Sequence, residues 1–361
     1  MAEHSLRAEG ISATLDLAVG HIADLTIALD GRTLQPLHRA PWIDTPDLPA
    51  GLPAGQARLS GDFLCAPFSS SDVEEAPLHG WPANSAWELL SDEPFDGGRR
   101  ASFRLQRKVM GATVKKTLVL RDGHPFLYQE HSFTGGAGAI SAAHHPITEM
   151  RDGGRLAFSP KRLAATPDGA PEPDPVRGES LLAYPARSTD LTRFPTANGR
   201  TIDLTCYSAS LRHEDFVTLV EAFHGGMGWT AVARAAEQDV VLVLKNPSEF
   251  PVTMLWISNG GRYYAPWNGR SGVLGIEDGR TVLGHAASLG DNWLKREGVE
   301  TTFPLGGTVT FRQIIGALPS ESGEAPSLVA GAEGKLRLSF ADGTSRMVPF
   351  DDGFLRIGTS T

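Results

Sequence analysis

The sequence predicts an all-β protein, a large antiparallel β-sandwich with few short helices. Three observations predict it. Short segments rich in Val, Leu, Phe, Tyr and Thr recur along the 361 residues, separated by Gly, Pro, Asp and Asn. The 40 glycines and 25 prolines imply many turns. Helical periodicity is scarce, so an α/β sheet with its crossover helices does not fit.

The elements follow in chain order. Residues 112–120 alternate with period two and end at Arg121-Asp122-Gly123, a turn signal, after which 125–133 reads as the partner strand. Residues 160–185 contain six prolines, scattered charge and few apolar side chains before Leu181. That stretch is read as a long, exposed and inert connection, with a flap over a cleft as the alternative. Residues 240–244, Val-Val-Leu-Val-Leu, form a continuous apolar run and predict a strand buried on both faces. Residues 252–258 and 308–316 are further strands. Between them, 281–296 can hold a short helix or two, with Val282, Leu283, Leu289, Trp293 and Leu294 as apolar points. A soft boundary at 319–326 precedes a terminal hairpin, 335–340 and 345–350 around Ala341-Asp342-Gly343. A lone hairpin is not stable by itself. Residues 1–361 are therefore read as one domain, with 320–361 as an extension packed on it.

Composition narrows the function. The formal net charge of -9 argues against nucleic-acid and anionic-membrane partners, which favour basic patches. No apolar run approaches the roughly 18 residues of a spanning helix, and the first residues lack a basic region followed by an apolar core. A cytoplasmic protein, monomeric or homodimeric, is expected. The two cysteines, Cys65 and Cys206, lie in apolar stretches and are expected to be buried free thiols. There is no zinc spacing, no nucleotide-binding glycine loop and no Gly-x-Ser-x-Gly turn, so no cofactor or metal is expected.

Three distant fragments carry the chemistry: His79-Gly80-Trp81, His144-His145-Pro146 and Gly275-Ile276-Glu277. Each puts an ionisable group at or near the end of a strand-like segment. Two imidazoles and a carboxylate can move protons at neutral pH. A glutamate after the apolar 273–276 is unusual as solvent decoration, and partial burial there would raise its pKa towards that of a working base. For each fragment the plain structural alternatives are a turn histidine, a surface histidine pair before proline, and a capping or salt-bridged glutamate.

The order and flanks of these fragments resemble the galactose mutarotase (aldose 1-epimerase) superfamily, over residues 55 to 316. His79-Gly80-Trp81 with Asn84 and Trp87 resembles its His-Gly-Phe-Ala-Arg-Asn-x-x-Trp stretch, and Gly61 to Phe68 resembles the Gly-Gly-x-Pro-x-Cys-x-Pro-Phe segment before it. His145-Pro146 falls on the His-Pro pair, Glu277 on the late glutamate, and 303–308 on the turn before the last strong strand. The resemblance implies a mutarotase-like sandwich whose substrate is a small sugar. Glu277 would be the general base and His145 the acid that protonates the ring oxygen, with His79 orienting or stabilising that oxygen. Sugar contacts are expected from His144, Trp81, Trp256, Trp267 and Asn268. Arg262 and Arg270 border the glutamate segment and could meet a phosphate or carboxylate, and Asp215 is the candidate for the sugar-hydroxyl aspartate. The sequence departs from the pattern in three places: Leu59-Ser60 stands where an arginine is common, Ile147-Thr148 replaces Tyr-Phe, and the aspartate has no clear match. A non-catalytic sugar-binding protein, a hexose-6-phosphate epimerase-like enzyme, and a lyase- or hydrolase-like enzyme are the alternatives.

Overall fold

The computed structural model describes residues 3–45 and 48–356. Strands make up 48% of it and helices 5%. Two large sheets dominate, and every ladder between named strands is antiparallel. The central strands of the larger, nine-stranded sheet are, in spatial order, Gly154–Phe158, Gly228–Arg234, Asp239–Lys245, Thr308–Pro319, Phe126–Gly135, Ala112–Arg121 and Gly98–Leu105. The eight-stranded sheet runs, in spatial order, Lys161–Ala165, His213–Glu221, Val252–Asn259, Val273–Arg280, Ala142–His144 and, at one edge, Leu64–Cys65, and Ile147–Glu149 also pairs with Val273–Arg280. A four-stranded N-terminal sheet over Glu3–Ala8, Ile11–Asp16, His21–Leu29 and Arg32–Leu34 packs Leu6, Ile11, Ala13 and Leu15 into the same core as Phe103 and Leu118.

The period-two rule explains how these layers stack. In Asp239–Lys245 the odd residues Val241 and Val243 meet Leu255, Leu274 and Ile276 of the other sheet. The even residues Val240, Leu242 and Leu244 meet Leu336, Leu338 and Val348 of a C-terminal sheet. Both faces are covered, as the continuous apolar run predicts. That C-terminal sheet has three strands, since Leu328–Ala332 joins the expected hairpin Lys335–Ser339 and Ser345–Pro349. Leu328–Ala332 was not legible, because only Val329 of its side chains is buried.

Other expectations resolve locally. The 281–296 stretch holds two short helices, His285–Leu289 and Trp293–Arg296. Residues 160–185 begin with a strand, Lys161–Ala165, before becoming irregular. Both cysteines are free, but Cys206 is half-buried rather than buried, since its strand Cys206–Tyr207 lies at the sheet edge. Among the described residues no helix is long and apolar enough to cross a membrane.

Candidate functional site

The pleat of two strands decides which side chains face the cavity. In Val273–Arg280, Leu274 and Ile276 point between the sheets and Val273 points to the opposite face. Glu277 shares the parity of Val273, and it lines a cavity of about 420 Å³ on that opposite face. His145 follows the strand Ala142–His144 and lines the same cavity. Its backbone N–H is fixed by the Phe63 carbonyl at 3.0 Å and the Asp62 carboxylate at 3.0 Å. Its Nε2 lies 3.0 Å from Glu277 Oε1, with both side chains almost wholly buried.

The imidazole of His145 is held by rings. Phe63 stacks on it at 4.6 Å, and His21 stacks on Phe63 at 4.4 Å. His79 approaches edge-on, 5.5 Å between centroids. His79 sits at φ 67, in the left-handed region, with its N–H donating to the Ser69 carbonyl and its own carbonyl accepting from Ala66. Gly80 after it is required, because a Cβ there would fall 2.0 Å from the Ala66 carbonyl oxygen. Burial, then the neighbouring His145, His21 and Arg262, hold the His79 imidazole well below its ordinary pKa, so it is neutral at pH 7. Five buried polar atoms of the lining side chains have no hydrogen-bond partner: Glu277 Oε2, His145 Nδ1, His79 Nδ1, Arg262 Nε and Trp267 Nε1.

The structure thus brings His79, His145, Glu277, Arg262, Trp256 and Trp267 to one cavity. Arg262 stacks on Trp267 at 4.7 Å and ion-pairs with the buried Glu214, Nε to Oε1 3.2 Å. Four expected sugar contacts fall elsewhere, each for a physical reason. His144 obeys strand alternation and turns between the sheets, fully buried against His131, Phe250 and Phe311, with Nδ1 3.8 Å from Asp62. Trp81 packs against the N-terminal core beneath the Arg107 guanidinium, 4.5 Å away. Asn268 is exposed at φ 49, at a turn outside the cavity lining. Asp215 is buried on the face opposite Glu214 and Phe216, accepting from the Leu181 and Leu182 N–H groups and the Tyr184 hydroxyl. Arg270 is also displaced from the cavity, wedged between Trp42 and Trp267 and donating to His38.

The proline-rich segment corrects the inert reading: Pro167, Gly169, Ala170 and Pro171 line the cavity. Residues missed by sequence reasoning are mainly apolar, namely Leu59, Phe63, Phe68 and Phe216. Phe63 and Phe68 lie within the 61–68 segment that carries the resemblance, which was their only signal. Among the described residues no cluster of His, Cys, Asp and Glu could hold a metal ion.

No family model matches the sequence, and no curated protein sequence matches it. Solved structures do. A candidate mutarotase from Salmonella typhimurium is 13% identical over 88% of this chain and 90% of its own, with a TM-score of 0.54. A candidate aldose 1-epimerase from Escherichia coli K12 is 12% identical over 88% and 99%, TM-score 0.54. A galactose mutarotase related enzyme from Lactobacillus acidophilus is 11% identical over 88% and 98%, TM-score 0.52. The chain has the galactose mutarotase-like sandwich fold.

Proposed function

We propose that the protein interconverts the anomers of a sugar hemiacetal, as an aldose 1-epimerase-like enzyme. The observation that carries this reading is the contact between Glu277 and His145, 3.0 Å apart in the cavity, with His79 beside them. Ring opening takes a proton from the C1 hydroxyl, forms the carbonyl at C1, breaks the bond from C1 to the ring oxygen and protonates that oxygen. The two oxygens served sit on one carbon, so the base and acid must be neighbours. Glu277 takes the hydroxyl proton and His145 delivers one to the ring oxygen. After rotation about the C1–C2 bond the roles reverse, His145 reclaiming its proton as the ring closes and Glu277 returning the other to O1. Neutral His79, with an unpartnered Nδ1, supplies a further hydrogen bond to the ring. Each positioned group is worth about 10²- to 10⁴-fold.

The test is anomer exchange by NMR on a panel of aldoses, wild type beside Glu277→Gln. Exchange above the spontaneous rate, cut at least about a hundredfold by the substitution, is expected. No acceleration by the folded wild type on any sugar would overturn the enzyme reading in favour of a sugar-binding protein.

A further inference from the structure

We infer that four buried side chains, Asp62, Gln129, Gln313 and Asp278, are positioning residues that set the contact between His145 and Glu277 from the far face of the sheet. This rests on the proposed anomer chemistry for what that contact does.

The strand pairing that would hold the acid beside the base lapses at the site itself. Ala142 and Ala143 pair with Arg280 and Gly279, and Ile147 pairs with Gly275. That register puts His145 opposite Glu277 and His144 opposite Asp278, yet the ladder with Val273–Arg280 is interrupted over 144–146. Pro146 has no N–H to give, and the His145 N–H turns away to the Phe63 carbonyl and Asp62 Oδ1. One hydrogen bond crosses the gap, from the Ile276 N–H to the Pro146 carbonyl at 2.8 Å.

Side chains bypass the gap on the opposite face. Strand alternation turns Asp278, next to Glu277, into the space between the sheets. There its Oδ1 meets Thr253 Oγ1 at 2.8 Å and Lys245 Nζ at 2.9 Å, and its Oδ2 accepts from Gln313 Nε2 at 3.2 Å. Gln313 Oε1 accepts from Gln129 Nε2 at 3.1 Å, and the same nitrogen donates to Asp62 Oδ2 at 2.6 Å. Gln129 and Gln313 stand directly opposite each other on neighbouring strands of the nine-stranded sheet. The chain therefore runs from the neighbour of the base, across the other sheet, to the carboxylate that holds the backbone of the acid. All four residues are almost wholly buried.

Stability alone does not account for such a chain, because apolar side chains of similar volume often hold a core as well as buried charges do. The space between the sheets is otherwise filled that way, by Val241, Val243, Leu255, Leu274 and Ile276. What directional hydrogen bonds add is a fixed geometry. A misplacement of about 1 Å between reacting groups can cost about a hundredfold in rate.

Gln313→Met and Gln129→Met keep the side-chain length and remove the amide, and Gln313→Glu, which keeps the shape and loses the donor, serves if a methionine variant does not fold. Anomer exchange is followed by NMR, the His145 ring by its Nε2 nitrogen resonance, and folding by thermal melts. The expected result is a kcat at least about tenfold lower with KM kept within about twofold, and a displaced His145 resonance. The double variant should be no slower than the slower single one, since both glutamines are links of one chain. Folded variants with wild-type kcat and an unmoved resonance overturn the inference and leave the epimerase reading standing. Losses that multiply in the double variant also overturn it. If the wild type accelerates exchange on no sugar, the epimerase reading falls and the resonance decides alone: displaced, it upholds the positioning role, and unmoved, it removes it.

Discussion

His144 and His145 leave the same backbone in opposite directions, and the strand pleat alone decides which faces the cavity. His145 reaches the cavity and touches Glu277, whereas His144 fills a space between the sheets against His131, Phe250 and Phe311. Substitution should separate the two roles. His145→Gln should lower anomer exchange at least about a hundredfold with little change in melting temperature. His144→Ala leaves a core void and should cost about 2–4 kcal/mol of stability, lowering the melting temperature while the folded fraction retains most of its exchange activity. Thermal melts and NMR exchange on both variants check this, and the reverse pattern would sink the assignment of His145 as the acid. At this scale the ionisable residues were legible because the motifs Gly275-Ile276-Glu277 and His145-Pro146 are local in sequence. Phe216 was not, since Asp215 beside it drew attention to the wrong face of the strand His213–Glu221.

The segment after Lys161–Ala165 shows how an irregular element acquires a fixed place. Its prolines announce that it cannot pair as a strand, but nothing local says where it crosses. The anchors are long-range. Asp215 accepts from Leu181, Leu182 and Tyr184, the Glu179 carbonyl accepts from Glu214, and the Glu179 N–H donates to Gly261. Held there, Pro167 to Pro171 border the cavity. Asp215→Asn weakens a buried acceptor of several donors, so about 1–3 kcal/mol of local anchoring should go. The expected outcome is faster proteolysis within 166–186 and a KM raised severalfold, with kcat nearly kept. A fall in kcat with unchanged KM would place Asp215 in the chemistry instead. The regular strands were easier to read. Apolar periodicity marked 112–120 and 240–244 because each buries its side chains against a whole sheet. Leu328–Ala332 buries too little to leave such a mark.

Across the whole molecule, the balance of buried ionisable groups sets how stability responds to pH. Burial is the first cause holding six imidazoles below their ordinary 6.5: His21, His38, His79, His124, His131 and His285. In His21 it outweighs the two carbonyls, of Arg58 and Ala83, that the ring nitrogens face, and brings the group down to about 3. His131 sits beside Lys116 with neither ring nitrogen partnered. Below pH 6.5 the unfolded chain binds protons at these sites that the folded protein refuses. Their contribution is therefore complete above pH 6.5 and is lost as pH falls, at up to about 1.4 kcal/mol per pH unit for each fully buried ring while it lasts and less for the half-buried His124, which water screens. Glu249 works the other way. Burial outweighs the hydrogen bond from the Arg312 N–H and raises its carboxyl to about 7, so between 4.5 and 7 the folded protein holds a proton that the unfolded chain has released. Its contribution is present at acid pH and disappears as pH rises through 7. The buried Glu214, whose carboxyl burial also raises, opposes them as Glu249 does, and six groups against two decide the sign: unfolding free energy should fall on acidification from pH 7 to pH 5. Denaturant titrations across that range measure the slope. Glu249→Gln removes one opposing group and should make the fall steeper, by up to about 1.4 kcal/mol for each pH unit between 4.5 and 7. A stability that is flat or rises on acidification would mean that the histidines are not buried in their neutral form.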